Sequence, residues 1–179
     1  MASIIRKIIL LLLLAVMSLP SVSVSYGNTA TKEQHLKAAF LVQFVKYTVW
    51  PDSSSKNITI GVLGPGAFTQ AFSKYQGKRL HGKTLEIVRI DDVVDAETCC
   101  QLVFLTSTES RKSRRILRHL VKKPILTVSE NNSFTRNGGI IRILKKGPKL
   151  KFVISVRNAK KSGLEFSSRM LKVAHAVEK

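Results

Sequence analysis

The stretch Pro124–Leu144, PILTVSENNSFTRNGGIIRIL, constrains this chain more than any other. Ile125–Val128 is a short apolar run with β-branched residues, the pattern of a strand buried on both faces. Ser129–Arg136 is polar except for Phe134, so it reads as a loop whose one large apolar side chain folds back onto the core. Gly138-Gly139 predicts a tight turn at positive φ, which residues bearing a Cβ resist. Ile140–Leu144 resumes as a strand, Lys145–Lys149 with Gly147-Pro148 reads as a hairpin turn, and Leu150–Val156 pairs back. A central strand followed by a two-stranded ribbon is a scaffold that the rest of the chain must cover. Nothing in it has a catalytic pattern.

The covering elements can be placed in order. Thr31 as N-cap with Gln34 three residues on fits a capping box, and the helix should run to about Trp50 before Pro51. Its apolar residues spread over most of the circumference, which predicts extensive burial. Asp52–Lys56 is a polar linker. Ile58–Leu63 is a strand, followed by Gly64-Pro65-Gly66 and a helix over Ala67–Tyr75. Gln76–Lys83 is a basic turn region, Leu85–Ile90 a second strand, Asp91–Glu97 an acidic connection and Gln101–Thr106 a third strand. Ser110–Lys123 is amphipathic, with Ile116, Leu117, Leu120 and Val121 on one stripe and Arg111, Arg114, Arg115 and Arg118 on the other. Asn158 should cap a short helix closed by Gly163, with Leu164–Phe166 extended after it. Ser167 or Ser168 caps a last helix with Met170, Leu171, Ala174 and Val177 along one side. Strands alternating with helices predict an α/β domain over residues 31–179. Its sheet should be mostly parallel, with an antiparallel ribbon and helices on both faces.

The N-terminus carries an address. Arg6-Lys7, the apolar run Ile8–Met17, then Pro20 and small residues describe a secretory signal peptide over residues 1–25, cut near 25–28. Ten apolar residues fall short of the roughly 20 that a membrane-spanning helix needs. Export to the periplasm changes the meaning of a formal net charge of +19, of which Arg6 and Lys7 contribute two. Inside a cell such a charge points to nucleic acid. Outside the cytoplasm it points to lipid headgroups, acidic protein surfaces or envelope polymers, or simply to a solvated surface. The arginine face of Ser110–Lys123 carries the same two readings, docking face or solvated face.

Local chemistry is sparse. His35, His81, His119 and His175 have no metal-ligand spacing, and no GxSxG, HExxH or P-loop pattern occurs. Gly64-Pro65-Gly66 after a strand could begin a phosphate-cradling loop, but Pro65 removes an amide such a loop would use. No enzyme activity and no cofactor are expected. The two cysteines, Cys99 and Cys100, are neighbours, and Cα atoms about 3.8 Å apart make a bridge between them strained. Read as strand residues they would face opposite ways, one thiol buried and the other turned to solvent or to a second subunit. A redox or intermolecular role and a pair of free thiols both remain open.

Several stretches together resemble the YfiR-like family of periplasmic regulators, over Lys37–Val177. The resemblance rests on Lys37-Ala38-Ala39-Phe40-Leu41, Phe44 and Trp50-Pro51, on Ile60–Gly64 with Phe68, on Gly77-Lys78 and His81-Gly82, and on Cys100–Leu105 with Ser110. It continues through Leu126–Ser129, Phe134, Gly138-Gly139, Phe152, Ile154, Ala159, Gly163-Leu164, Ser167-Ser168 and Leu171. It implies an exported, dimeric α/β domain without enzyme activity. Such a protein binds the periplasmic domain of an inner-membrane diguanylate cyclase, represses it, and so limits cyclic di-GMP and biofilm formation. Two departures stand out: family members with disulfides use separated cysteines, and Arg142 stands where many relatives carry Asn.

The leading expectation is therefore a periplasmic repressor of a membrane-bound signalling enzyme. A second is a periplasmic small-ligand binder acting with another membrane sensor or transporter. It would use the loops after Leu63, Leu105 and Val128, where Gly64, Gly66, Ser107, Ser129, Phe134 and Arg142 are the candidate contacts. A third is electrostatic adhesion to anionic lipid through Arg111–Arg118. No nucleic-acid partner is expected.

Overall fold

A computed structural model describes residues 27–51, 55–64, 70–106 and 110–179. The leader over 1–25, most of the linker after Pro51, Gly66, Phe68 and Ser107 lie outside them. Contacts divide the chain into Met1–Ala30 and Thr31–Lys179, and the second unit holds the sheet. Among the described residues the strands are β1 (Thr48–Val49), β2 (Asn57–Leu63), β3 (Arg79–Leu80), β4 (Lys83–Ile90) and β5 (Leu102–Leu105), followed by β6 (Leu126–Ser129), β7 (Ile141–Lys146), β8 (Lys149–Ser155), β9 (Glu165–Phe166) and β10 (Ala176–Glu178). The helices are α1 (Gly27–Tyr47), α2 (Val93–Cys99), α3 (Ser110–Leu120), α4 (Val156–Lys161) and α5 (Ser168–Val173).

An eight-stranded sheet runs in the order β10-β8-β7-β6-β5-β2-β4-β3, and β1 pairs β9 in a separate antiparallel ribbon. The five strands from β7 to β4 are mutually parallel, while β7–β8 and β3–β4 are antiparallel. The fold is thus α/β with a mostly parallel sheet. The all-apolar strand β5 shows why both faces are covered. Leu102 and Phe104 join one core, packed with α1, α4 and α5, whereas Val103 and Leu105 join a second, packed with α2 and α3. On the first face Phe40, Phe44 and Phe152 meet at centroid distances of 4.9 to 5.9 Å, with Phe152 edge-on to both of the others as aromatic quadrupoles favour.

The hairpin at Gly147-Pro148 forms as the sequence suggests: Lys146 pairs with Lys149 and Gly147 has φ 59°. Elsewhere the chain departs from expectation for tertiary reasons. Helix α1 begins at Gly27, so Thr31 lies within it rather than at its cap, and it ends at Tyr47 because Thr48–Val49 pairs with β9. Its burial is one-sided: Ala38, Leu41, Val42, Phe44 and Val45 are buried while Leu36, Gln43 and Lys46 are exposed. The acidic connection is largely helix α2, capped by Asp92, whose carboxylate accepts from the amides of Val94 and Asp95 at 2.8 and 3.0 Å. The described end of the segment expected as a helix up to Tyr75 is a single 3₁₀ turn at Gln70–Phe72 followed by turns.

Three further corrections concern small polar residues and the C-terminus. Ser155, not Asn158, caps α4, because β8 runs up to Ser155 and the helix starts at once. Of the glycine pair only Gly138 has positive φ, at 101°. Gly139 is required for space, since the Phe134 ring occupies the place of its missing Cβ. The last helix stops at Val173, and Val177 lies in β10, pairing with Ile154 along the open edge of β8. The His175 amide donates to the Phe152 carbonyl at 2.8 Å and starts that pairing.

Candidate functional site

Strands β2, β5 and β6 run parallel and deliver Leu63, Leu105 and Ser129 to one end of the sheet. From β2 the chain crosses to β4 on one side and later to β5, β6 and β7 on the other. The gap between β2 and β5 is therefore a topological switch point, the place where open α/β sheets have room for ligands. Its first layer is tightly locked. The Thr106 amide and hydroxyl both donate to the Leu63 carbonyl at 3.1 Å. Gly64, at φ 128°, lies where any Cβ would overlap the Thr106 hydroxyl.

The other loop residues singled out from sequence are largely spent on the scaffold. The Ser129 hydroxyl, fully buried, donates to the Leu105 carbonyl at 2.9 Å and binds two strand ends together. Phe134 is fully buried in the second core. Arg142 is half-buried; it donates from Nη1 to the Asn132 carbonyl at 3.3 Å, and its Nε is buried without a partner among the described residues. Gly66 and Ser107 lie outside the described residues.

Helix α3 supplies what faces outward here. Ile116, Leu117 and Leu120 bury themselves with Ser113 against the second face of the sheet, and that register leaves Arg111, Arg114, Arg115 and Arg118 exposed. On one side of this ridge is a cleft of about 910 Å³, with Leu63, Val93, Val94 and Ile116 as its apolar lining and Arg111, Arg115, Arg118 and His119 on the helix side. Asp91 and Asp92 also line it. On the other side a cleft of about 440 Å³ is lined by Arg111, Arg114, Arg118, Arg136 and Asn137. Arg136 and Asn137 come from the β6–β7 loop, and sequence spacing offers no link between them and α3.

A network missed in sequence ties that same end of the sheet to α1. The Lys37 ammonium bridges Glu33 at 2.7 Å and Glu130 at 2.8 Å, and Lys145 reaches Glu33 at 2.9 Å. Hydrogen bonds from Lys37 and then Lys145 hold the Glu33 carboxyl below its ordinary range. Burial pulls Lys37 down, but its bonds to Glu130 and Glu33 outweigh this and leave it raised. The only signal in the chain was Glu33 and Lys37 at i,i+4; the partner Glu130 comes from folding.

The cysteines sit at the opposite end of the sheet. Cys99 ends α2 and Cys100 is its C-cap, so the pair is not in a strand, and the two sulfurs approach to 2.9 Å. Both thiols are free, Cys99 exposed and Cys100 buried. Burial first, then the hydrogen bond with Cys99, pushes the Cys100 thiol far above its usual range.

Comparison with known proteins places this geometry. A family profile described as YfiR/HmsC-like matches residues 34–175. Among solved structures, a conserved domain protein from Vibrio cholerae O1 biovar El Tor superposes with TM-score 0.52 at 11% identity, covering 81% of this chain and 60% of that one. The ABC domain in complex with L-Trp from Streptococcus pneumoniae superposes with TM-score 0.55 at 13% identity, covering 78% of this chain and 60% of that one. This chain therefore spans less than two thirds of either structure, and at such identities the likeness is one of fold.

Proposed function

Because the chain belongs to the YfiR/HmsC-like family, we propose that it is a non-enzymatic periplasmic repressor of an inner-membrane diguanylate cyclase. The observation that carries this reading is the extent of the family match, which takes in the body of α1 through to the end of α5. Repression follows if the protein binds the inactive arrangement of the cyclase's outer domain better than the active one. A ligand with equal affinity for both shifts nothing, and full switching needs a preference of about 10⁴-fold. The scaffold is suited to such selection, because a sheet covered on both faces changes shape little and binding energy goes into choosing the partner's state.

Export through the leader at residues 1–25, a single folded domain over 31–179 and a homodimer belong to the same proposal. No helix among the described residues is long and apolar enough to cross a membrane. The deciding experiment pairs crosslinking in intact cells with measurement of cyclic di-GMP after deletion. Recovery of a transmembrane cyclase together with a rise in cyclic di-GMP is the expected result. Unchanged cyclic di-GMP with no cyclase recovered would remove the reading. N-terminal sequencing of the accumulated protein tests processing near 25–28, and light scattering tests the dimer.

A further inference from the structure

The two clefts flanking α3 are joined by shared side chains, since Arg111 and Arg118 line both. One is polar and cationic; the other has an apolar floor. Leu63 and Ile116 form that floor, and Val94, 64% exposed, stands at its edge. None of Arg111, Arg114, Arg115, Arg118 and Arg136 forms an ion pair among the described residues. Among the described residues, the two acidic ones that line the larger cleft are otherwise engaged. Asp92 caps α2 through its amides, and Asp91 pairs with Arg89 at 3.2 Å. No acidic residue lines the smaller cleft among the described residues.

We propose that these two clefts form one site for an anionic lipid. Its phosphate sits on the guanidinium groups of Arg111, Arg114, Arg118 and Arg136, whose planar forks match phosphate oxygens in pairs. Its acyl chain lies along Leu63, Val93, Val94 and Ile116, removing that floor from water. Charge favours one direction: the smaller cleft has only arginines and Asn137 for its lining, whereas Asp91 and Asp92 share the larger one, so the phosphate goes to the first and the acyl chain to the second. A water-soluble anion would use the smaller cleft and leave the apolar floor unexplained. Flat adhesion to a membrane would use the ridge and need neither cleft. The site stands apart from the cyclase reading and holds whichever membrane protein is the partner.

The test titrates the protein, purified in the form in which it accumulates, with lysophosphatidylglycerol below its micellar concentration. Chainless glycerophosphoglycerol and zwitterionic lysophosphatidylcholine serve as comparisons, all followed by calorimetry. Saturable binding near one equivalent is expected, with each comparison ligand at least about tenfold weaker. Arg114→Gln with Arg136→Gln should weaken binding about tenfold or more, and so should Val94→Asp, with melting temperatures unchanged because all three side chains are exposed. Should the double variant unfold, Arg114→Gln alone carries the charge arm. Equal binding of the chainless headgroup would reduce the site to one for a free anion, and equal binding of lysophosphatidylcholine would remove the charge argument. An unaffected Val94→Asp variant would mean surface adhesion only. No lipid binding at all would leave the arginine ridge to an acidic protein surface. Each of these four outcomes overturns the proposal.

Discussion

The ring of Phe134 lies against the bare Cα of Gly139, in the space a Cβ would fill. The Gly139 amide donates to the Phe134 carbonyl at 2.9 Å, so ring and backbone close the same turn. The loop after the central strand is thereby pinned from inside the second core, and Arg136 and Asn137 are held between the two pinned residues. Gly139→Ala should cost about 1–3 kcal/mol by overpacking. Gly138→Ala, strained only through its positive φ, should cost about 1–2 kcal/mol. Urea denaturation separates them through a partner: Phe134→Leu should relieve much of the Gly139→Ala loss and none of the Gly138→Ala loss.

Asn158 secures that loop from the other side. Its Nδ2 donates to the carbonyls of Thr135 and Gly139, both at 2.8 Å. Asn158→Ala leaves two carbonyls of a half-buried turn without that donor, at a cost of about 1–3 kcal/mol. Asn158→Asp should be at least as damaging, because a carboxylate cannot donate. Hydrogen exchange should show lost protection over residues 131–139, with β5 and β6 unaffected; loss spread evenly through the sheet would contradict a local tether.

These two contacts show what could be read from the chain alone and what could not. Leu102–Leu105 is apolar at every position, which is enough to place a strand covered on both faces. Phe134 in a polar loop announces an inward-facing ring. Asn158 and Ser155 are both good capping residues, and the choice between them rests on where β8 ends, a long-range matter. Val177 sits at helical spacing from Met170 and Ala174, yet the unpaired edge of β8 recruits it, because strand pairing there outweighs one more turn of a short helix. Helix α2 had a signal that the reading of Asp91–Glu97 as a connection passed over, since Asp92 precedes Val93, Val94 and Ala96 as a cap should. Arg136 shares a cleft with Arg118 only because the β6–β7 loop returns beside α3, and no periodicity encodes that.

The Lys37 network makes stability depend on pH in a defined direction. Glu33 titrates below its ordinary value of 4.5 in the folded chain, so its contribution is complete above about that pH and fades as pH falls through the lowered value. Lys37 titrates above its ordinary 10.5; its contribution is complete below that pH and is lost as pH rises through the raised value. Both side chains keep some solvent contact, and the effect at neutral pH should stay within about 1 kcal/mol. Glu33→Gln should lower the urea midpoint more at pH 7 than in acid, because the deficit fades as the Glu33 carboxyl of the folded chain protonates below its ordinary range. An equal deficit at both would assign the loss to packing rather than charge.

Cys99 and Cys100 should differ in reactivity despite sulfurs 2.9 Å apart. Only the thiolate attacks an alkylating agent. Burial holds the Cys100 thiol protonated far above neutral pH, and Gly61 keeps it enclosed: a Cβ there would come within 2.6 Å of the sulfur. Iodoacetamide at about pH 8, near the ordinary thiol range, should add once to the native protein, at Cys99, and reach Cys100 only in denaturant. Cys99→Ser should leave Cys100 largely unreactive, because burial in the core is the larger part of its protection and the bond to Cys99 the smaller. Gly61→Ala, which displaces either the sulfur or the Ile90 side chain beside it, should destabilise the domain by about 1–3 kcal/mol and speed labelling of Cys100 in native buffer. Two adducts forming at equal rates on the unmodified sequence, read by mass spectrometry, would show that Cys100 is not enclosed in this way.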